Sequence, residues 1–188
     1  NYMRFIAQEL REYLAALDAE GMRARRVGAS ALLLHKPVPV ERLPGFLEGL
    51  VSVQDAGAQR AAELLELADG QRVLDACAAP GGKSAHILEL ADVRLTALEI
   101  DPARSARIRQ NLARLGLHAE VHVADCTRPG AWRQGRTFER ILADVPCSAS
   151  GIARRRPDVK WLRRESDLAG FAVRQGAILA ALWQVLAA

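Results

Sequence analysis

From about residue 51 onward the sequence predicts a doubly wound α/β fold on a parallel sheet, preceded over residues 1–50 by part of a smaller α+β unit and a linker. Three observations predict it. Short apolar runs alternate with longer segments of helical period, which favours parallel strands joined by crossovers over hairpins. A turn of small residues and glycines joins the first of these strands to a helix. Three successive strands end in an acid, at the carboxyl edge where open α/β sheets bind their ligands.

Taken in order, Tyr2 to Glu20 carries Phe5, Ile6, Leu10, Tyr13, Leu14 and Leu17 at helical spacing, with Gly21 as a stop, and is predicted as one amphipathic helix. Ala31–Leu34 reads as a short strand. Pro37, Pro39 and Pro44 with Gly45 and Gly49 interrupt any regular element and place a boundary near residue 50. A helix is predicted at 55–67, a strand at 72–76, a helix at 83–91 and a strand at 94–99. Pro102 suits the first turn of the next helix, and Gly116 follows Leu115 where that helix stops. Residues 119–123 and 140–144 form two further strands. The last helix starts near Asp167 and meets no glycine or proline stop. Both ends look cut: the chain opens on Asn1 and closes inside an apolar helix, 178–188, where such a sheet would turn into its next strand. The sequence is expected to be a fragment of a longer protein.

With 188 residues, half of them hydrophobic, the chain is long enough to bury a real core. No run of about 18 apolar residues is free of charge and no secretory signal opens the chain, so a membrane partner is not expected and the location is read as cytoplasmic. Cys77, Cys126 and Cys147 are an odd number, far apart, without paired zinc spacing, and are expected as reduced thiols. His118 and His122 share one face of a strand with no third ligand nearby, so no metal is expected. The net charge of +4 is localised. Residues 1–144 hold 19 basic and 19 acidic side chains, against 7 and 3 in residues 145–188. The excess lies in Arg154, Arg155, Arg156, Lys160, Arg163 and Arg164, with Asp158 the acid among them. A charge run is often only a solvated face, but Trp161 inside this one favours nucleic acid through stacking beside phosphate contacts.

The densest signal is Val73 to Ser84: a strand, the turn Cys77-Ala78-Ala79-Pro80-Gly81-Gly82, and a helix opening at Lys83. Small residues let a ligand approach the backbone, and amides at a helix start favour anionic or polar groups. A phosphate-binding Walker loop would need glycine where Cys77 stands, and a G-x-G-x-x-G loop is absent. Glu99 closes the second strand, where an acid can accept from two ribose hydroxyls, and Asp125 and Asp144 repeat the placement. Asp144-Val145-Pro146-Cys147-Ser148 sets a cysteine on a loop beyond a strand end, with basic neighbours that would favour its thiolate. Cys126 fits better as a buried small hydrophobe, and Cys77 as a small residue of its turn.

The stretches Asp75 to Lys83, Asp144 to Ser148 and Arg155 to Trp161 together resemble the bacterial RsmB/Sun proteins, 16S ribosomal RNA cytosine carbon-5 methyltransferases, and Val51 to Asp55 resembles the entry to their catalytic domain. The likeness covers nearly the whole chain. It implies a Rossmann-like fold with S-adenosylmethionine as cofactor, wrapped by Cys77, Ala78, Ala79, Pro80, Gly81, Gly82 and Lys83. Glu99 would hold the ribose, Asp125 would lie by the adenine, and Asp144 by the methionine end and the target base. Carbon-5 of cytosine is a poor nucleophile, so a thiolate must add at carbon-6, assisted by an acid near N3, for which Asp144 is the candidate. In these enzymes the attacking cysteine lies in a later Thr-Cys-Ser motif, absent here, and the Pro-Cys cysteine, Cys147, helps release the product. The partner implied is 16S rRNA, with no metal and a monomer when full length. This chain alone is therefore expected to bind cofactor without turnover. Two other readings stay open: a methyltransferase acting on DNA, protein or a small molecule, or a non-catalytic RNA-binding relative. DNA cytosine enzymes attack through the Pro-Cys cysteine, so Cys147 alone does not choose between them.

Overall fold

The computed structural model describes residues 2–4, 10–27, 31–153 and 156–187. The first unit is an antiparallel sheet of β1 (Tyr2–Arg4), β2 (Ala24–Val27), β3 (Ala31–Leu34) and β4 (Ser52–Gln54), in the order β2-β3-β1-β4. Helix α1 (Leu10–Ala19) packs Leu10, Tyr13 and Leu17 onto Leu32, Leu34, Leu43 and Val51. The i, i+3, i+7 spacing thus marks a real apolar face. The single helix expected from Tyr2 to Glu20 is corrected at its start: Tyr2–Arg4 pairs with both β3 and β4. Central sheet pairing satisfies both edges of that backbone, which local helical periodicity cannot foresee. Residues 5–9, where Phe5 and Ile6 were expected in the helix, lie outside the described residues. Strand β2 went unpredicted because it is an edge strand with Arg25 and Arg26 exposed, a charged edge and not an apolar one. Strand β4 is three residues long, and it carries the first sheet as far as Gln54.

Asp55 then caps α2 (Ala56–Glu63), accepting from the Gly57 amide at 3.0 Å. The helix expected over 55–67 stops four residues early, because Leu65 and Leu67 turn back to pack beneath the next strand with Val73 and Ile87. The second sheet holds β5 (Arg72–Asp75), β6 (Arg94–Glu99), β7 (Glu120–Val123) and β8 (Arg140–Leu142), parallel throughout, in the order β7-β6-β5-β8. Helices α3 (Gly82–Leu90) and α4 (Pro102–Arg114) make the crossovers. Asp101 caps α4 through the Ala103 and Arg104 amides, with Pro102 in the first turn as expected.

Alternate side chains of the strands feed different cores. Val73 and Leu95 meet Ala62 and Ile87, and Ala97 meets Ala85, Ile108 and Leu112. Leu74 and Leu98 point the other way, into Cys126, Trp132, Phe138, Ile178 and Leu182. The sheet is covered on both faces, as a doubly wound α/β sheet must be. Its second cover is α6 (Asp167–Trp183), preceded by the unpredicted short helix α5 (Val159–Leu162). The helix expected to run to the chain end stops at Trp183. Leu186 then bridges in parallel to Phe138, with the Phe138 amide donating to Val185 O at 2.9 Å and the Ala187 amide to Phe138 O at 2.8 Å. No helix among the described residues is long and apolar enough to cross a membrane.

Candidate active site

The glycine-rich turn is strung between two strand ends: the Ala76 amide donates to Leu142 O and the Ala78 amide to Leu98 O, each at 2.9 Å. Below it Asp75, 1 % exposed, accepts from Ser84 Oγ at 2.7 Å, tying the end of β5 to the first turn of α3. Burial pushes the Asp75 carboxyl up to about 6, against the lowering effects of the Ser84 bond and of Lys83. Gly81 has φ 99°, and a Cβ there would stand 3.2 Å from Ile108 Cα, so glycine is demanded by conformation and by packing on α4. A Cβ at Gly82 would meet nothing within 4 Å, leaving that side of the turn open.

A cavity of about 550 Å³ opens above the carboxyl ends of the strands, lined by Cys77 and Ala79 of the turn and by Glu99, Asp125 and Asp144. The three acids expected to face one ligand therefore share one wall. Glu99 is 4 % exposed; its Oε1 accepts from the Asp101 amide at 3.1 Å and its Oε2 lies 3.4 Å from Arg104 Nη1. Arg104 also donates to Ala79 O at 3.2 Å, fastening the acid to the turn. Asp125 Oδ1 accepts from the Thr127 hydroxyl at 2.7 Å and from its amide at 2.9 Å, and these bonds hold the carboxyl below its usual range. A hydrogen bond with the Cys126 thiol, together with burial, holds the Cys77 thiol above its usual range.

A second cavity, of about 340 Å³, lies on the other side of the turn. Ala78, Pro80, Gly82 and Lys83 line it, with Gln54 at the end of β4 and Asp55, the cap of α2, while Cys77, Ala79 and Asp144 border both cavities. Residues of the turn thus border two spaces, and Gly81 lines neither. Lys83 Nζ donates to Asp144 Oδ2 at 2.5 Å, so an ordered ion pair stands where the cavities meet. Cys147 is exposed and lies outside both linings; its Sγ accepts from the Ala149 amide at 3.4 Å.

Arg154 and Arg155 of the basic run lie outside the described residues. Arg156 pairs with Asp158 at 3.4 Å. Lys160, Arg163 and Arg164 are exposed, and Trp161, at 88 %, has almost its whole ring in solvent. Arg163 folds back, donating to Ser148 O at 2.9 Å with its guanidinium 5.5 Å from the centre of the Phe171 ring, and so joins this segment to the Cys147 loop.

Sequence reasoning missed Arg104 and Arg174, both on the first cavity's wall. Arg104 had a legible signal, lying one turn into a helix capped directly after Glu99. Arg174 had none, because only the docking of α6 brings it to the site. Asp75 is a fourth acid at a strand end, turned inward, and Gln54 had drawn notice only as part of a motif. Among the described residues no group of three or more His, Cys, Asp or Glu is placed to hold a metal.

The sequence profile of the family described as 16S rRNA methyltransferase RsmB/F matches residues 62–188. A protein of Sodalis glossinidius (strain morsitans) named Ribosomal RNA small subunit methyltransferase B is 54 % identical over 157 residues, covering 83 % of this chain and 36 % of that protein. A protein of the same name from Pseudomonas syringae pv. tomato is 48 % identical over 179 residues, covering 93 % and 40 %. The chain spans about two fifths of the length of these curated relatives. Among solved structures, a methyltransferase homologue from Pyrococcus horikoshii matches with a TM-score of 0.80 at 26 % identity, over 99 % of this chain and 60 % of that one. NSun6 from the same organism, solved with SFG, shares the fold with a TM-score of 0.86 at 18 % identity, over 99 % and 72 %.

Proposed function

The chain belongs to the 16S rRNA methyltransferase RsmB/F family, and on that premise we propose that the protein it comes from transfers a methyl group from S-adenosylmethionine to carbon-5 of a cytosine in 16S rRNA. One observation carries the reading: two cavities meet at the Lys83–Asp144 ion pair, one walled by strand-end acids and one open to the first unit. A transferase needs a seat for the donor and a seat for the acceptor, with a shared border where the group crosses.

The first cavity suits the cofactor. Its size is that of a small-molecule cleft, and Glu99 is a buried carboxylate oriented to accept from vicinal hydroxyls. Cys77 and Ala79 present small side chains, Glu99 takes the ribose, Asp125 the adenine side and Asp144 the amino-acid end. When bound, S-adenosylmethionine supplies an electrophilic methyl group. The remaining chemistry belongs to the protein. Asp144, oriented by Lys83, faces the border with the acceptor cavity; once it has taken a proton from solvent it is assigned to pass that proton to N3 of the base. Protonation there draws electron density from carbon-6 and favours addition of a thiolate. Cys147, exposed beyond Pro146, is assigned to product release, and the attacking cysteine to the later motif that the resemblance implies. Arg156, Lys160, Arg163 and Arg164 take RNA phosphates and Trp161 a base, with Arg154 and Arg155 in the same segment. In this reading the first unit extends through β4, a few residues past the boundary expected near residue 50, and reaches the acceptor cavity at Gln54.

The test is to incubate the full-length protein with labelled S-adenosylmethionine and unmodified 16S rRNA and to map 5-methylcytosine. Transfer to one cytosine, lost on Asp144→Ala, is expected. Transfer to protein or DNA instead, or none to cytosine, overturns the reading.

A further inference from the structure

Two thiols stand on the wall of the first cavity and take no part in the chemistry above. Cys77 and Cys126 both line that cavity, and both are free. They arrive from opposite sides of β6, Cys77 in the turn after β5 and Cys126 in the turn after β7. Those two turns are tied to consecutive carbonyls of β6: the Ala78 amide donates to Leu98 O at 2.9 Å and the Ala124 amide to Glu99 O at 3.0 Å. The thiols meet where the turns converge. They hydrogen-bond to each other and pack in one cluster with Leu74, Leu98 and Ile178. Cys77 is half-buried and Cys126 is 7 % exposed, so the pair borders the cavity as well as the core. A cysteine that served only as a small hydrophobe would need no second thiol against it.

We infer that Cys77 and Cys126 form a modification site: hydrogen peroxide entering the cavity joins them in a disulfide, and the closed pair weakens the hold on the cofactor. The effect on cofactor rests on the reading above, that this cavity seats S-adenosylmethionine; the disulfide does not. The hydrogen bond from Cys77 favours the thiolate at Cys126, against burial and the neighbouring Asp125 charge. That thiolate attacks one peroxide oxygen and the O–O bond breaks, leaving a sulfenic acid on Cys126 and a hydroxide that takes up a proton from solvent. Cys77 sulfur then attacks Cys126 sulfur, and the sulfenic hydroxyl leaves with the Cys77 proton as a second water. Two thiols lose two electrons, and one peroxide becomes two waters. The sulfurs must close to about 2.05 Å, and that closure draws the glycine-rich turn toward Asp125. These are the two walls between which the adenosine lies, so a bound cofactor also shields the pair. In a reducing compartment such a bond is transient, which suits a reversible response to oxidant.

The experiment treats the reduced full-length protein with hydrogen peroxide, alkylates the remaining thiols and digests with trypsin. The peptide 73–83 is expected joined to the peptide 115–133, at the mass of their sum less two hydrogens. Calorimetry on the oxidised protein is expected to show S-adenosylhomocysteine bound about tenfold or more weakly than by the reduced protein, the loss of one hydrogen bond to a charged group at Asp125. Dithiothreitol should restore the affinity. S-adenosylhomocysteine at about 100 times its Kd leaves about one cavity in a hundred open, so the link should form on the order of a hundredfold more slowly. Cys126→Ser is expected to bind equally before and after peroxide, a comparison made within the variant; if it does not fold, Cys126→Ala is read in the same way. No link between the two peptides, a link that leaves affinity unchanged or forms as fast with ligand bound, or a loss of affinity on peroxide that persists without Cys126, overturns the inference and leaves the cofactor reading standing. A reduced wild type that binds no S-adenosylhomocysteine brings down the earlier reading instead.

Discussion

Replacing Glu99 with alanine should cost most of the affinity for cofactor and little of the fold. The carboxylate is 4 % exposed and anchored at both oxygens, by the Asp101 amide at 3.1 Å and by Arg104 at 3.4 Å, so it meets a ligand without reorganising. A hydrogen bond to a charged group contributes about 1.5 to 3 kcal/mol. Loss of one such bond weakens binding by about 10- to 150-fold, and loss of a pair by more, though less than the product. The folding side differs. Arg104, the partner left behind, has a side chain 53 % exposed and keeps its bond to Ala79 O at 3.2 Å, so removing Glu99 strands no buried charge. Calorimetric titration with S-adenosylhomocysteine, paired with thermal unfolding in its absence, separates the two. Glu99→Gln, which keeps an acceptor and loses the charge, should fall between wild type and Glu99→Ala. An affinity for Glu99→Ala within about twofold of wild type, well below the value of a single charged hydrogen bond, would refute the ribose assignment.

The remaining predictions test burial, packing and charge. Asp75, with a folded pKa of about 6 against an ordinary 3.8, holds a proton between those values that the unfolded chain has released. Stability should therefore fall as pH rises from about 4 to about 6, with the full cost, about 3 kcal/mol for some two pKa units, present above that window. Asp75→Asn, which still accepts from Ser84, should flatten this slope in urea melts at pH 4.5 and 7; a slope equal to wild type would count against the burial argument. Gly49 has φ +80°, and a Cβ there would stand 2.0 Å from Arg114 O, so Gly49→Ala should destabilise by about 3 kcal/mol or more. An unchanged denaturation midpoint would refute that close approach. Replacing Arg156, Arg163 and Arg164 together should reduce the slope of log affinity for single-stranded RNA against log salt by about 0.7 for each phosphate that is no longer neutralised. An unaltered slope would make the segment a solvated face.

The parts of the fold and site that were legible are those where local chemistry and tertiary structure agree. Strand 94–99 was read to the residue because it is a central strand, buried on both faces, whose apolar run ends in an acid that cannot continue into the core. The start of α4 was legible because Asp101 and Pro102 satisfy the first helical turn by themselves. Tyr2–Arg4 was misread because its partners are about 30 and 50 residues away, in β3 and β4, and nothing in three residues announces them. The end of α6 was misread for the same reason: backbone bonds between Phe138 and residues 185–187 stop a helix whose composition would let it continue.

By itself the sequence determined that a parallel α/β sheet forms, that a turn of small residues follows its first strand, and that acids stand at successive strand ends. Each of these is set by the period of apolar residues or by the chemistry of adjacent residues, which travel with the chain. Tertiary structure alone decided that residues of the turn border two cavities, that Lys83 reaches Asp144 across 61 positions of sequence, and that Arg174 and Gln54 come to the site from α6 and β4. It also decided how two of the strand-end acids are held. Asp75 and Glu99 both end a strand, but Asp75 turns beneath the loop, where burial raises its pKa and Ser84 holds it, while Glu99 lines the cavity beside Arg104. The direction in which a strand-end side chain points depends on the pleat and on the elements packed around it, and those are properties of the assembled sheet, not of any segment.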